Sequence, residues 1–216
     1  MTTRRGASGP IARRLAVEAL DLLAYWWSRP VVDDLGAWQA TSRLATEAMS
    51  ELGDGGASGG APRWLPHDVG EMLDISNEHE RLFVRHGPVP CPPYESYWLD
   101  CQPVRPLRTS KGTATSELKQ IYRKLDLDVS SEGELPDHIA VELEALAYAL
   151  SLEESDDIAN ELLEAHLARW LERFCDAVAH ASDGRFYGRL ATLTVDWVEQ
   201  IRHREIIPGP PHDQPA

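Results

Sequence analysis

The chain has 216 residues, 43% of them hydrophobic, with 21 Lys and Arg against 35 Asp and Glu and a formal net charge of −14. That length suits one domain with a sizeable core, and the composition is that of an ordinary soluble globular protein. The charge argues against nucleic acid as a partner, since nothing could neutralise a row of phosphates; it favours a basic ligand such as a cationic peptide, or serves solubility alone.

In chain order, Arg4-Arg5 and Arg13-Arg14 invite comparison with a twin-arginine export signal. The stretch 15–27 that follows contains Glu18 and Asp21, so it is not the uninterrupted apolar region such a signal needs. Residues 11–28 instead read as a helix, with Leu15, Ala19, Leu22, Leu23 and Trp26 on one stripe and Pro30 as its stop. A second helix is predicted over about 32–52. The Gly-rich run 53–62 breaks the pattern and reads as a flexible loop. Helical pattern resumes over about 67–85, and a weaker helix covers about 113–125.

Between these two, prolines at 88, 90, 92 and 93 fix φ and extend the residues before them. A stiff, non-helical loop follows, carrying Tyr94, Glu95 and Ser96 at its end. Such a loop is either an exposed recognition surface or a rigid connector whose aromatics pack into the core.

The C-terminal half has the clearest periodicity. Pro136 and Asp137 begin a helix with the stripe Ile139, Leu143, Leu146, Ala147 and Leu150. A longer helix runs from Ser155 to about Ala181 on the ladder Ile158, Leu162, His166, Trp170, Phe174 and Val178. After Gly184 a last helix aligns Phe186, Leu190, Leu193, Trp197 and Ile201. The expectation is an all-α, single-domain helical bundle of about seven to nine helices over 1–207, with 208–216 a disordered tail. No fixed repeat recurs.

Chemistry-bearing patterns are sparse. Cys91, Cys101 and Cys175 form neither a disulfide framework nor a zinc pattern, which suits a reduced, cytoplasmic chain. No apolar run is long enough for a membrane span. His79, His86, His138 and His166 match no ligand spacing, and His166, on an apolar stripe, reads as a satisfied core histidine. No phosphate-binding or dinucleotide fingerprint is present, and Ser96 lacks a nucleophile-elbow context. No catalytic residue, metal site or cofactor is therefore expected. Asp137-His138 sits at a helix start, whose field favours the carboxylate and disfavours an imidazolium. Asp137 either caps that first turn or grips a cationic group on a ligand.

Four segments together resemble the TorD/DmsD family of redox enzyme maturation chaperones. They are Glu80-Arg-Leu-Phe83 with Gly87-Pro88 and Pro92-Pro-Tyr-Glu-Ser-Tyr-Trp-Leu-Asp100; Glu134-Leu-Pro-Asp-His138; His166-Leu-Ala-Arg-Trp170 with Phe174; and Phe186-Tyr187 before the final helix. Their order and intervals agree over about 79–200. The resemblance implies an all-α fold and no enzymatic activity. It also implies binding of the twin-arginine signal peptide or N-terminal region of a molybdenum-containing oxidoreductase catalytic subunit. Proteins of molybdenum-cofactor biosynthesis are implied as further partners, with a role in twin-arginine translocation and anaerobic respiration. Carried over by position, the peptide site comprises Leu82, Phe83, Pro93, Tyr94, Glu95, Ser96, Trp98, Asp137 and His138. Asp137 and Glu95 would meet the arginines, and Phe83, Tyr94 and Trp98 the apolar part. Arg85-His86 before Gly-Pro, and Tyr94-Glu95 in place of a Trp-Gly pair, depart from other members. Two other classes stay open on the residues alone. One is a metal- or nucleotide-dependent helical hydrolase using Asp137 and His138, and the other is a helical regulatory binding module.

Overall fold

A computed structural model describes residues 10–52, 64–84, 90–99, 113–127 and 134–203, and every regular element among them is helical. In order they are α1 (Pro10–Trp27), α2 (Leu35–Leu52), α3 (Val69–His79), α4 (Glu95–Leu99), α5 (Thr113–Lys124), α6 (Ile139–Ser151), α7 (Asp156–Asn160), α8 (Ala168–Ser182) and α9 (Phe186–His203). A 3-10 turn, Val32–Asp34, precedes α2, and π-helical stretches Glu80–Val84 and Glu161–Leu167 follow α3 and α7. The all-α expectation is met. The glycine run 53–62, Pro88 and the tail 208–216 lie outside the described residues. No described helix is long and apolar enough to cross a membrane.

The core grows from α1, which packs along α6 and against α2 and α9. Small and large residues alternate inside it: Ala16, Ala19, Leu20 and Leu23 are all fully buried. In α6 the predicted stripe Ile139, Leu143, Leu146, Ala147 and Leu150 is buried, and Ala145 and Ala149 are buried as well. A helix apolar on most of its circumference belongs at the centre of a bundle. The ladder of α8 supplies Trp170, Phe174 and Val178, and α9 supplies Phe186, Leu190, Trp197 and Ile201. Trp27, Phe83, Phe174 and Tyr187 stack together, with ring centroids 5.1 Å apart for Trp27–Phe174 and 4.9 Å for Phe83–Tyr187. Truncating any one to alanine should cost about 3–5 kcal/mol.

Two polar devices lock the helix ends. Arg13 donates from Nε to the Leu150 carbonyl at 2.6 Å and from a terminal nitrogen to that of Leu152 at 3.0 Å, and pairs with Asp156 at 2.6 Å. It thereby satisfies the carbonyls that the end of α6 leaves open, and ties α1 to α6 and α7. Ser182 closes the α8–α9 junction. Its hydroxyl accepts from the Gly188 N–H at 2.8 Å and donates to buried Glu78 at 2.6 Å, pinning α3 to both helices. A Cβ at position 188 would lie 3.0 Å from the Ser182 Oγ, so any larger residue would crowd this contact. The turn itself uses positive φ at Asp183 and Gly184, as the predicted break at Gly184 requires.

Three boundaries differ from the sequence reading. The helix predicted over 67–85 is regular only to His79; the π stretch beyond it, with its wider turn, carries both of the adjacent residues Leu82 and Phe83 into the core. The long helix predicted from Ser155 is likewise interrupted at Glu161–Leu167, where Leu162, Leu163, His166 and Leu167 are all buried. Thirdly, the proline loop ends at Tyr94. Glu95–Leu99 contains no proline and coils into α4, where the sequence pattern gives a non-helical loop.

Candidate functional site

Pro92 and Pro93 have no N–H, so the extended backbone there offers carbonyls only. The Pro93 carbonyl accepts from the Ile139 N–H at 3.0 Å, while the Glu95 N–H donates to the Asp137 carbonyl at 2.9 Å. These two bonds form an antiparallel bridge between Tyr94 and His138. The Pro92 carbonyl accepts from the Trp98 indole at 2.8 Å, and Tyr122 donates to the Pro136 carbonyl at 2.8 Å. Two motifs some forty residues apart thus become one bridged loop pair. Seven of the sequence-predicted site residues belong to it: Pro93, Tyr94, Glu95, Ser96, Trp98, Asp137 and His138.

Leu82 and Phe83 lie beneath the pair. The Leu82 carbonyl accepts from the Cys91 N–H at 3.2 Å, and Phe83 joins the aromatic stack below Trp98 through Phe174. Both are buried core residues rather than surface contacts.

The electrostatics reverse part of the sequence expectation. Asp137 and Glu95 were placed to meet a ligand's cations from an exposed loop, yet each has 0% exposure. Asp137 faces inward and accepts from the Ser96 hydroxyl at 2.6 Å and its N–H at 3.3 Å, satisfying the start of α4 from across the bridge. It does not cap α6; His138 does, accepting the Ala140 N–H on Nδ1 at 3.2 Å. Burial lowers the His138 imidazole to about 4, so it stays neutral and able to accept. The direction is the expected one, but the cause is desolvation rather than the helix field. Asp137 and His138 are thus engaged with separate partners.

Glu95 reaches His166 in the π stretch, with oxygens 2.9 and 3.1 Å from Nδ1. That histidine is therefore a satisfied core residue, as its position on the apolar ladder suggested. A third carboxylate, Glu142 on α6, is also fully buried and accepts from the Trp170 indole at 3.4 Å. Burial, then the charges of Glu95 and Asp137, hold its carboxyl well above the usual range and so favour its protonated form. Sequence reasoning missed Glu142. The signal was its place three residues after Ile139, on the inward stripe of α6.

Facing outward are Tyr97, 43% exposed, half-buried Tyr94, Ser96 and Trp98, and exposed Glu134. Tyr94 donates to Glu134 at 3.2 Å, and Tyr97 packs edge-on against Trp98 with centroids 5.3 Å apart. Glu134 and Tyr97 stood inside the quoted motifs but were not singled out. The outward face therefore combines aromatic edges with an accessible carboxylate, Glu134. Burial pushes the Cys91 thiol up to about 11. Among the described residues no three His, Cys, Asp or Glu side chains cluster so as to hold a metal ion.

Comparison with known proteins gives this architecture its relatives. The profile of the family described as nitrate reductase delta subunit matches residues 66–176, just over half of the chain. A chaperone protein TorD of Shewanella pealeana is 33% identical over 59% of this chain and 59% of its own length. A Tat proofreading chaperone DmsD of Salmonella typhimurium is 30% identical over 76% of this chain and 74% of its own. The match thus spans about six-tenths of the first relative and three-quarters of the second. In fold, the chain resembles the crystal structure of a proposed redox enzyme maturation protein from Archaeoglobus fulgidus, with a TM-score of 0.54 at 23% identity, covering 93% of this chain and 99% of that one. The family match takes in α3, the bridged loop pair, α6 and most of α8, and with it this chain belongs to the TorD/DmsD family of redox enzyme maturation chaperones.

Proposed function

We propose that the protein is a cytoplasmic maturation chaperone that binds the twin-arginine signal peptide or N-terminal region of a molybdenum-containing oxidoreductase catalytic subunit. In this reading it holds the subunit for cofactor insertion and proofreads it before export or assembly. Proteins that make the molybdenum cofactor would be its further partners. The relatives' names, TorD chaperone and Tat proofreading chaperone, supply the class of client.

The observation that carries the reading is the bridged loop pair. The backbone bridge and the buried Asp137–Ser96 and Glu95–His166 contacts hold its aromatic face in one shape before any ligand arrives. A preformed face avoids the ordering cost that a flexible loop incurs on binding. Tyr94, Ser96, Tyr97 and Trp98 would touch the peptide, and Glu134 would meet an arginine. Leu82, Phe83, Pro93, Glu95, Asp137 and His138 would act from below by fixing that face. The net charge of −14 would speed the encounter with a basic leader.

Titration calorimetry of the full chain with the client's leader peptide tests this. Saturable binding is expected, weakening when the paired arginines become alanines. Absence of binding to every molybdoenzyme leader of the source genome, and to the mature subunits, would overturn it.

A further inference from the structure

A groove of about 600 Å³ runs between α3 and the start of α9, and none of its lining residues belongs to the bridged loop pair. Glu71, Asp74 and Glu78 on α3, where residues three or four apart share a face, and Arg81 in the π stretch that follows line one wall. Arg185 and Arg189 form the facing wall. The floor is aromatic, with Trp64 and Phe186 edge to face at 5.3 Å.

Three carboxylates and three guanidiniums thus line one groove. Some are used internally. Glu78 accepts from Ser182 and neighbours Arg81, which donates to the Ala181 carbonyl at 3.1 Å. Glu71 accepts from the His67 N–H at 2.6 Å, and Arg189 donates from Nε to the Gly184 carbonyl at 3.2 Å. The side chains of Asp74, Asn77 and Arg185 are exposed and make no hydrogen bond or ion pair among the described residues. Glu71 and Asp74 on one wall and Arg185 and Arg189 on the other make no ion pair with each other among the described residues, whereas Glu78 and Arg81 pair at 3.9 Å. A ligand carrying both signs, with an apolar middle, would satisfy the two walls together; a purely cationic one would meet a lining of no net charge.

The wall from Glu71 to Arg81 spans ten residue steps, roughly 15 Å at the helical rise. An extended chain advances about 3.3 Å per residue, so roughly four or five residues fit. We propose that this groove binds an extended peptide segment with a basic side chain at Asp74 and Glu71, an acidic side chain at Arg185 and Arg189, and apolar residues on Trp64 and Phe186. Asn77, with a donor and an acceptor, suits the segment's backbone amide. The site is separate from the loop pair and does not depend on what the loop pair binds.

The test uses end-capped peptides on the full chain at low salt: Lys-Leu-Ala-Leu-Glu, Gln-Leu-Ala-Leu-Gln and Glu-Leu-Ala-Leu-Glu. Binding is followed through the Trp64 indole signal by NMR, assigned with a Trp64→Phe variant. The first peptide should shift that signal saturably, and the neutral one should bind at least fivefold more weakly. Asp74→Arg should weaken the first peptide by a similar factor and strengthen the third. Melting curves check that this exposed substitution leaves the fold intact. Equal binding of charged and neutral peptides, indifference to Asp74→Arg, or a silent Trp64 would each overturn the proposal. Leader peptides acting at the loop pair would move Trp98 instead, so the two readings fail separately.

Discussion

Beneath the bridged loops three carboxylates, Glu95, Asp137 and Glu142, have no exposure to solvent, whereas along the α3 groove Glu71 and Asp74 stand in water. The same chemical group serves opposite ends in the two regions. A buried carboxylate must find donors or stay protonated, so each of the three is matched to a partner or neutralised, and the loops above them are fixed. An exposed carboxylate has little energetic stake in any one partner, so it is free to meet a ligand. The difference teaches that acidity near a binding surface does not identify the groups that do the binding.

The largest effects should come from breaking the buried set. Glu95→Ala would leave His166 buried without its partner, which costs about 1–3 kcal/mol, and the emptied space in the core adds to that loss. Urea unfolding measures it, and the double variant Glu95→Ala/His166→Ala should lose less than the sum of the singles. A loss under about 1 kcal/mol would show that the pair does not hold the loops. Asp137→Ala comes next. It strands the Ser96 hydroxyl and N–H at the start of α4, worth about 1–3 kcal/mol in the same assay. An unchanged midpoint would return Asp137 to the role of a ligand contact.

Glu142 offers a sharper test through pH. Its carboxyl is held above the unfolded value of 4.5, and an acid of that kind contributes its full stability below the unfolded value and loses it as pH rises towards the folded one. Glu142→Gln fixes the neutral form and should remove that loss. Wild type and variant should agree below about pH 4.5 and separate as pH rises above it, with the variant the more stable. Parallel curves would mean that Glu142 is ionised in the native protein.

Much of this was legible in the sequence and some was not. The stripe of α6 and the ladder through Trp170 and Phe174 were readable because apolar periodicity records burial directly. The two motifs read jointly in the sequence, and the structure bridges them through Tyr94 and His138. The inward turn of Asp137 was hidden, because its destination, Ser96, is set by a tertiary bridge and not by local spacing. A short helix such as α4 has too few residues to show a period. Arg13 read as half of an arginine pair, since nothing nearby announces the Leu150 and Leu152 carbonyls that it closes. The π stretches were equally invisible, because a wider turn leaves only a run of adjacent apolar residues, as at Leu162-Leu163.

The smallest structural perturbation carries the central claim, that the loop pair recognises through its outward aromatics while its buried carboxylates only hold it in place. Tyr97 is 43% exposed and, among the described aromatic rings, packs on Trp98 alone. Tyr97→Ala should cost no more than about 0.5 kcal/mol of stability, which for a chain of this size is a shift of about 1–2 °C in Tm. Calorimetric titration of the client's leader peptide into this variant is the most direct measurement. The account predicts affinity at least tenfold weaker than wild type with Tm held within that range; unchanged affinity in a folded variant would contradict it.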